Sequence, residues 1–181
     1  VFIEIASISS YALVAFGTEK EELEASFKYM VMGSLATGFI LFGIAIIYSK
    51  FGMLNMVLIS KEISKGIDEL TKLSFFLLLS GFLIKAAAVP FHSWLPDAHP
   101  SAPAPISAML SGVLIKTLGI YPIIRIMLIL PFSINKIIVY LGILSMIVGV
   151  ILALGQMDMK RLFAYHSISQ IGYILLGIGL A

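Results

Sequence analysis

The chain has 181 residues, 60% of them hydrophobic, with a mean hydropathy of +1.06 and a formal net charge of +2. This apolar content lies far above that of soluble domains and indicates a polytopic membrane protein. The absence of cysteine excludes iron–sulfur ligation, disulfide bonds and a thiol nucleophile in this sequence, and the small net charge gives no reason to expect nucleic-acid binding.

The apolar runs predict an all-α fold, since a membrane span needs about 20 apolar residues. The first run has no initiator methionine before it, and we interpret the sequence as an internal piece of a longer protein. A polar linker, TEKEELEASFK, follows the first span, and LISKEISKGIDELTK predicts an amphipathic surface helix before the third. The six predicted spans cover residues 1–17, 29–48, 73–96, 104–128, 134–155 and 160–181.

Small residues line one face of the fourth and fifth predicted spans. Such faces let helices approach closely in lipid, and packing alone is a sufficient reason for them. In the fourth span they share the face of Lys116. The small residues are Ala108, Gly112 and Gly119 in the fourth span and Gly142, Ser145, Gly149 and Ala153 in the fifth.

Two of the twelve basic residues, Lys85 and Lys116, fall near the middle of predicted spans. A buried ammonium costs several kcal/mol even on lenient insertion scales, and a lysine can snorkel only from near a helix end. Each lysine is either structurally paired or a site where burial favours the neutral amine and permits proton exchange. Glu4, the only acidic residue in a predicted span, is a candidate ion-pair partner of Lys85, unless it lies near the interface.

Pro90 interrupts the third predicted span close to Lys85. The proline ring removes an N–H and clashes with the carbonyl of Ala86. A broken helix is tolerated in a membrane only where protein buries it or water reaches it, and broken spans beside ionisable groups mark ion sites in transporters. We therefore predict that the break hydrates and gates Lys85; the alternative is a kinked packing helix.

Two further groups of polar residues accompany the spans. His92, Asp97 and His99 lie in a proline-rich turn, and their spacing fits no standard metal-ligand set, so a proton or water entrance is favoured over a metal site. In the last span, His166 shares a face with Gln170 and Tyr173, with Ser169 beside them. An imidazole titrates near neutrality, so His166 is either a proton relay or an interhelical hydrogen-bonding residue.

The sequence also carries extended motifs. The stretch KAAAVPFHSWLPDAHPSAPAPISAMLSGVLIKTLGIYPIIRI resembles the proton-translocating antiporter-like subunits of respiratory complex I, of Mrp-type sodium/proton antiporters and of membrane-bound energy-converting hydrogenases. EASFKYMVMGSLATG and ALGQMDMKRLFAYHSISQIGYILLGIG resemble the same family on either side. The resemblance covers essentially the whole chain.

The resemblance implies a fold of about fourteen transmembrane helices with two inverted repeats. Residues 1–128 would form most of the first repeat, corresponding to helices five to eight, and residues 134–181 would begin the second with helices nine and ten. It further implies that the linkers at 17–28, 97–103 and 156–161 face the cytoplasm, whereas the count of basic residues in the loops leans weakly the other way.

The resemblance also implies residue roles. Glu4 matches the carboxylate of the fifth helix, Lys85 the lysine of the broken seventh helix, and Lys116 the lysine of the eighth, which passes protons toward the centre. The ion pair of Glu4 and Lys85 would open and close as charge moves. Some members carry a histidine in the eighth helix where this chain has Ser111, so Lys116 would act alone or with water.

These features and the resemblance predict a proton- or sodium/proton-translocating subunit of a redox-driven ion pump, in a membrane-bound hydrogenase-type or complex I-like assembly of a prokaryotic cytoplasmic membrane. Its expected partners are lipid, further antiporter-like membrane subunits and a peripheral redox module of the iron–sulfur, hydrogenase or dehydrogenase type. The chain carries no cofactor motif, so we expect it to bind no cofactor and to catalyse no redox step itself. SAPAPISAMLSG leans toward the hydrogenase and Mrp-like branch. The alternatives are an Mrp-type sodium/proton antiporter subunit and a non-transporting membrane scaffold.

Overall fold

The computed structural model describes residues 2–129 and 134–181, which form helices joined by short loops, with no strand in those ranges. The all-α prediction is confirmed, and the predicted start of the first span at Val1 lies outside the described residues. The helices are α1 (Phe2–Val14), α2 (Lys20–Phe51), α3 (Met56–Ile63), α4 (Glu69–Lys85), α5 (Leu95–Ser101), α6 (Ala104–Met109), a π-helix (Leu110–Ile120), α7 (Tyr121–Met127), α8 (Asn135–Leu154) and α9 (Met159–Leu180).

Within residues 2–129 and 134–181, four helical stretches are long and apolar enough to cross a membrane. They are α2, α8, α9 and the continuous helix Ala104–Met127, which combines α6, the π-helix and α7. The first predicted span is the shorter apolar helix α1, with 13 residues, and the third is divided because α4 ends at Lys85. Four of the six predicted spans are therefore full-length helices in the structure, the first is a short helix, and the third is a broken helix.

Two predicted connections have a different structure. The stretch 18–28 was expected to be a linker, but α2 already begins at Lys20 and has 32 residues. The single surface helix predicted for residues 58–72 is two helices, because two N-cap side chains each start a new one. Asn55 accepts hydrogen bonds from the first turn of α3, and Asp68 accepts one from the Thr71 N–H at the start of α4.

The two small-residue faces behave differently. A Cβ added at Gly142 would lie 2.8 Å from the Leu176 nitrogen, and one at Gly149 would lie 2.6 Å from the Ser169 nitrogen. The backbones of α8 and α9 therefore touch, which confirms the predicted close approach for the fifth span. In the fourth span, a Cβ added at Gly112 would meet no atom within 4 Å among the described residues beyond its own turn of helix, whereas one added at Gly119 would lie 2.6 Å from Ala86.

Candidate functional site: a buried lysine at a helix break

The break follows Lys85, one turn earlier than the predicted position near Pro90. A proline cannot donate the helical hydrogen bond, and its ring excludes the carbonyl four residues before it, so α4 stops ahead of the proline. Two side chains then satisfy backbone groups at the break. The Trp94 indole N–H donates to the Ile84 carbonyl at 3.0 Å, and the Val89 N–H donates to the Ser145 hydroxyl at 3.0 Å.

Lys85 is buried, with 8% of its surface exposed, which confirms the predicted burial. Its ammonium donates a hydrogen bond of 2.8 Å to the Ser7 hydroxyl on α1. Glu4 lies one turn before Ser7 on the same helix, and its carboxylate accepts a hydrogen bond of 2.7 Å from the Thr37 hydroxyl on α2. These groups come together at the junction of α1, α2 and α4.

The structure places Glu4 and Lys85 near each other without joining them. Within residues 2–129 and 134–181, the ion pairs do not include a contact between these two groups. The two charges still interact through space. Lys85 is hydrogen-bonded to Ser7 and Glu4 to Thr37, so the ion pair expected from the family resemblance to open and close is not formed in this structure.

An aromatic group that the sequence analysis did not single out encloses the same region. The rings of Tyr29 and Trp94 are stacked with their centres 4.3 Å apart, and Tyr11 meets Tyr29 edge-on at 4.5 Å. The Ser10 hydroxyl donates to the Tyr29 hydroxyl at 3.0 Å. These large, rigid side chains link α1 and α2 to the segment after the break. A single tryptophan between two prolines was the only sequence signal for this cluster.

The π-helix closes the other side of the lysine site. A small cavity beside Lys85 is lined by Ser7 and Tyr11 from α1 and by Leu114 and Ile115 from the π-helix. A Cβ added at Gly119 would lie 2.6 Å from the Cα and nitrogen of Ala86, the residue that follows Lys85. Glycine at this position therefore allows the backbone of the π-helix to touch the break.

Lys116 lies on the π-helix and is half-buried. Its ammonium donates to the backbone carbonyl of Ser111, one turn of the π-helix earlier. The Ser111 hydroxyl shares a hydrogen bond of 2.8 Å with the Ser167 hydroxyl on α9. The π-helix is a rare element that occurs frequently at functional sites. Serine in place of histidine thus connects this helix to α9.

Two of the predicted entrance residues, Asp97 and His99, lie on the short helix α5, whereas His92 precedes it in the expected turn. Asp97 bridges two other helices, accepting from Lys28 at 3.0 Å and from Arg161 at 3.1 Å. His99 is buried and shares a hydrogen bond of 2.7 Å between its Nδ1 atom and the Ser107 hydroxyl. Asp97 also lines an open polar cleft of about 420 Å³.

Two predicted site residues stand apart from these contacts. His92 has a buried Nδ1 atom that makes no hydrogen bond of normal geometry to the described part of the chain. His166 is exposed, lies 3.4 Å from Gln170 between their Nε2 atoms, and lines a cleft with Val150 and Ser169. Among the described residues, no hydrogen bond joins His166 to Lys85 or Lys116, and Asp97 and His99 have different partners.

Comparison with known proteins gives consistent matches. The family profile described as NADH:quinone oxidoreductase/Mrp antiporter, transmembrane, matches residues 1–181. NADH-quinone oxidoreductase subunit N from Herminiimonas arsenicoxydans is 37% identical over 97% of this chain, and the same-named protein from Bacillus anthracis is also 37% identical over 97%. The chain spans 37% and 38% of the lengths of these two relatives.

Solved structures share the fold. A chain of the membrane-bound sulfane sulfur reductase, an archaeal respiratory membrane complex, is 33% identical with a TM-score of 0.92 over 98% of this chain and 37% of its own. A chain of the Mrp complex from Dietzia is 32% identical with a TM-score of 0.88, and the match covers 99% of this chain and 34% of the Dietzia chain. A chain of respiratory complex I from Thermus thermophilus is 33% identical with a TM-score of 0.82, and the match covers 97% of this chain and 38% of the Thermus chain. The chain belongs to the transmembrane family shared by NADH:quinone oxidoreductases and Mrp antiporters.

Proposed function

We propose that the chain is part of an ion-translocating membrane subunit of a redox-driven pump, with protons as the primary ion. The observation that carries this proposal is the buried ammonium of Lys85 at the end of a broken helix, hydrogen-bonded to Ser7 and within electrostatic range of Glu4. A buried ionisable group beside broken helix in a membrane is costly and typical of ion pathways.

In the proposed mechanism, movement of Glu4 relative to Lys85 changes the proton affinity of the lysine. An approaching carboxylate favours the ammonium, whereas separation in a dry environment favours the neutral amine and releases a proton. The released proton passes through bound water toward Lys116 on the π-helix. The segment with His92, Asp97 and His99 forms the proton entrance. His166 on α9 serves as a later proton relay on the path.

The full-length protein would supply the remaining helices. We propose that residues 1–128 form most of one inverted repeat and that residues 134–181 begin the second, with α5 and the start of α9 at the cytoplasmic surface. The partners would be further antiporter-like subunits and a peripheral redox module, in a prokaryotic cytoplasmic membrane. Similarity to bacterial NADH-quinone oxidoreductase subunit N supports this assignment.

The test is ion uptake by liposomes that contain the complete parent complex with Lys85→Met. We expect uptake to be lost while electron transfer by the redox partner, measured in detergent, is retained. Lys72→Met is the matched control, because Lys72 lies on the same helix, is partly exposed and pairs with Glu69 at its surface end. Normal uptake by Lys85→Met would instead indicate a non-transporting scaffold.

A second candidate function is that of a subunit in an Mrp-type sodium/proton antiporter, which the likeness to the Mrp complex from Dietzia favours. The same liposomes distinguish the two functions. A redox-driven pump of protons alone should acidify or alkalinise the lumen equally with sodium or choline as the only added cation. Proton movement that requires sodium would support the antiporter instead.

A further inference from the structure

We propose that the cavity beside Lys85 is a binding site for a single water molecule, held by the hydroxyl of Tyr11, and that Tyr11 positions this water on the ion path. The second part rests on the proposed function, whereas the water site itself stands on geometry alone. Tyr11 lies on α1, one helical turn after Ser7. It is a positioning residue in this proposal, acting on Lys85 through the water.

The Tyr11 hydroxyl is buried, and its capacity to form hydrogen bonds is not fully used. The side chain is 6% exposed, and its oxygen makes no hydrogen bond of normal geometry within the described residues. The Ser7 hydroxyl lies close enough to interact with it. Because Ser7 already donates to the Ile3 carbonyl and accepts from Lys85, Tyr11 can only donate to it, and the acceptor positions of the Tyr11 oxygen stay open to a water. A buried hydroxyl in this situation is costly, and buried water is the usual means by which proteins satisfy one.

The cavity has the right size and lining for one water. About 10 Å³ is open to the centre of a water molecule, close to the minimum that one water requires. Its wall includes four residues with polar side chains, Ser7, Tyr11, Tyr29 and Lys85. The ammonium of Lys85 has three donors and uses one of them on Ser7, so a water could accept from Lys85 and donate to Tyr11.

The same features argue against another ligand. The space is too small for any organic molecule, and no carboxylate is among the side chains that line it. A sodium ion in it would face the ammonium of Lys85 with no carboxylate in the lining to bind it. Water is therefore the ligand class that fits.

Packing fixes where the hydroxyl lies. A Cβ added at Gly33 on α2 would lie 1.9 Å from the Tyr11 hydroxyl oxygen. Glycine at this position leaves the room that the hydroxyl occupies, and the edge-on contact with Tyr29 holds the ring from the other side. The orientation of Tyr11 toward the cavity thus depends on two residues of α2.

The experiment uses the complete parent complex with Tyr11→Phe, which removes the hydroxyl and keeps the ring. We expect ion uptake per transferred electron to fall about tenfold or more, since positioned proton-transfer groups contribute 10²–10⁴-fold to rate, while electron transfer in detergent is unchanged. Tyr48→Phe is the control, because Tyr48 is exposed at the end of α2 and should leave uptake normal. Lys85→Met is measured in parallel.

A second measurement does not depend on a variant. A cryo-EM map of the wild-type complex that resolves ordered waters should show a peak within hydrogen-bond distance of both Tyr11 and Lys85. An empty cavity in that map overturns the water site. Normal uptake by Tyr11→Phe, with uptake lost in Lys85→Met, overturns the role of Tyr11 alone. Normal uptake by both variants overturns the proposed function and the role of Tyr11 together.

Discussion

The contact between Gly119 and the helix break gives the sharpest structural prediction. Gly119→Ala adds one methyl group that would lie 2.6 Å from the Cα and nitrogen of Ala86 and 2.7 Å from its Cβ. Two of these neighbours are backbone atoms and cannot rotate aside. To restore an ordinary separation of 3.4 Å, the π-helix and the break must move apart by about 0.8 Å.

The expected loss of stability in Gly119→Ala is obtained by comparing it with Gly112→Ala. Gly112 lies on the same π-helix and is exposed, and a Cβ added there would meet no atom within 4 Å among the described residues beyond its own turn of helix. Both substitutions gain up to about 1 kcal/mol of helix propensity, so this gain cancels in the comparison. The remaining difference is the overpacking cost, about 1–3 kcal/mol, with Gly119→Ala the less stable of the two.

The assay is thermal unfolding of the two full-length variants in the same detergent, followed by ion uptake in liposomes. Gly119→Ala should unfold at a lower temperature than Gly112→Ala. It should also move fewer ions per electron, since a displacement near 1 Å at a reacting group can cost about 10²-fold in rate. Equal stability and equal uptake would refute the close contact between the π-helix and the break.

Three further predictions concern groups around this site. Ser145→Ala should destabilise the protein by about 1–3 kcal/mol, because the buried Val89 N–H loses its acceptor. Asp97→Asn should cost up to about 2 kcal/mol at low salt, since it weakens two partly exposed ion pairs worth about 0.2–1 kcal/mol each, and the loss should shrink at high salt. Hydrogen bonds from Lys50 and Thr71 hold the pKa of the Asp68 carboxyl well below its usual range. Thermal stability should therefore fall as the pH drops below the ordinary aspartate pKa of 3.8, and Asp68→Asn should remove this contribution to the pH dependence.

Each of these three has a contrary result. Unchanged unfolding of Ser145→Ala would mean that the Val89 N–H finds another acceptor. A loss for Asp97→Asn that persists at high salt would exclude an electrostatic origin. Equal acid sensitivity in the wild type and in Asp68→Asn would place the titrating group elsewhere.

Hydropathy and charge patterns predicted the features that follow from placing a chain in an apolar membrane. A lysine in the middle of an apolar run has few places to lie except inside the protein, so the burial of Lys85 could be predicted from sequence. The proline similarly required a break in the third span. The small-residue face of the fifth span predicted a close helix contact, because small side chains let helix backbones approach each other in lipid.

The parts that depend on tertiary contacts could not be predicted in this way. At the break, Trp94 and Ser145 supply the hydrogen-bond partners of backbone groups, and both come from other segments of the chain. Ser145 was interpreted only as a small packing residue, because hydropathy does not reveal which hydroxyl faces a free N–H. Tyr11 was overlooked because its importance arises from the position of Gly33 on another helix.

The central claim is that ion movement depends on the electrostatic interaction between Glu4 and Lys85. The most direct test measures ions moved per electron by the complete complex with Glu4→Gln, with Lys85→Met and with both substitutions. The account predicts that each single variant loses most of its uptake and that the double variant is no worse than either, because the two charges act as one unit. Wild-type uptake by Glu4→Gln, together with loss in Lys85→Met, would contradict it.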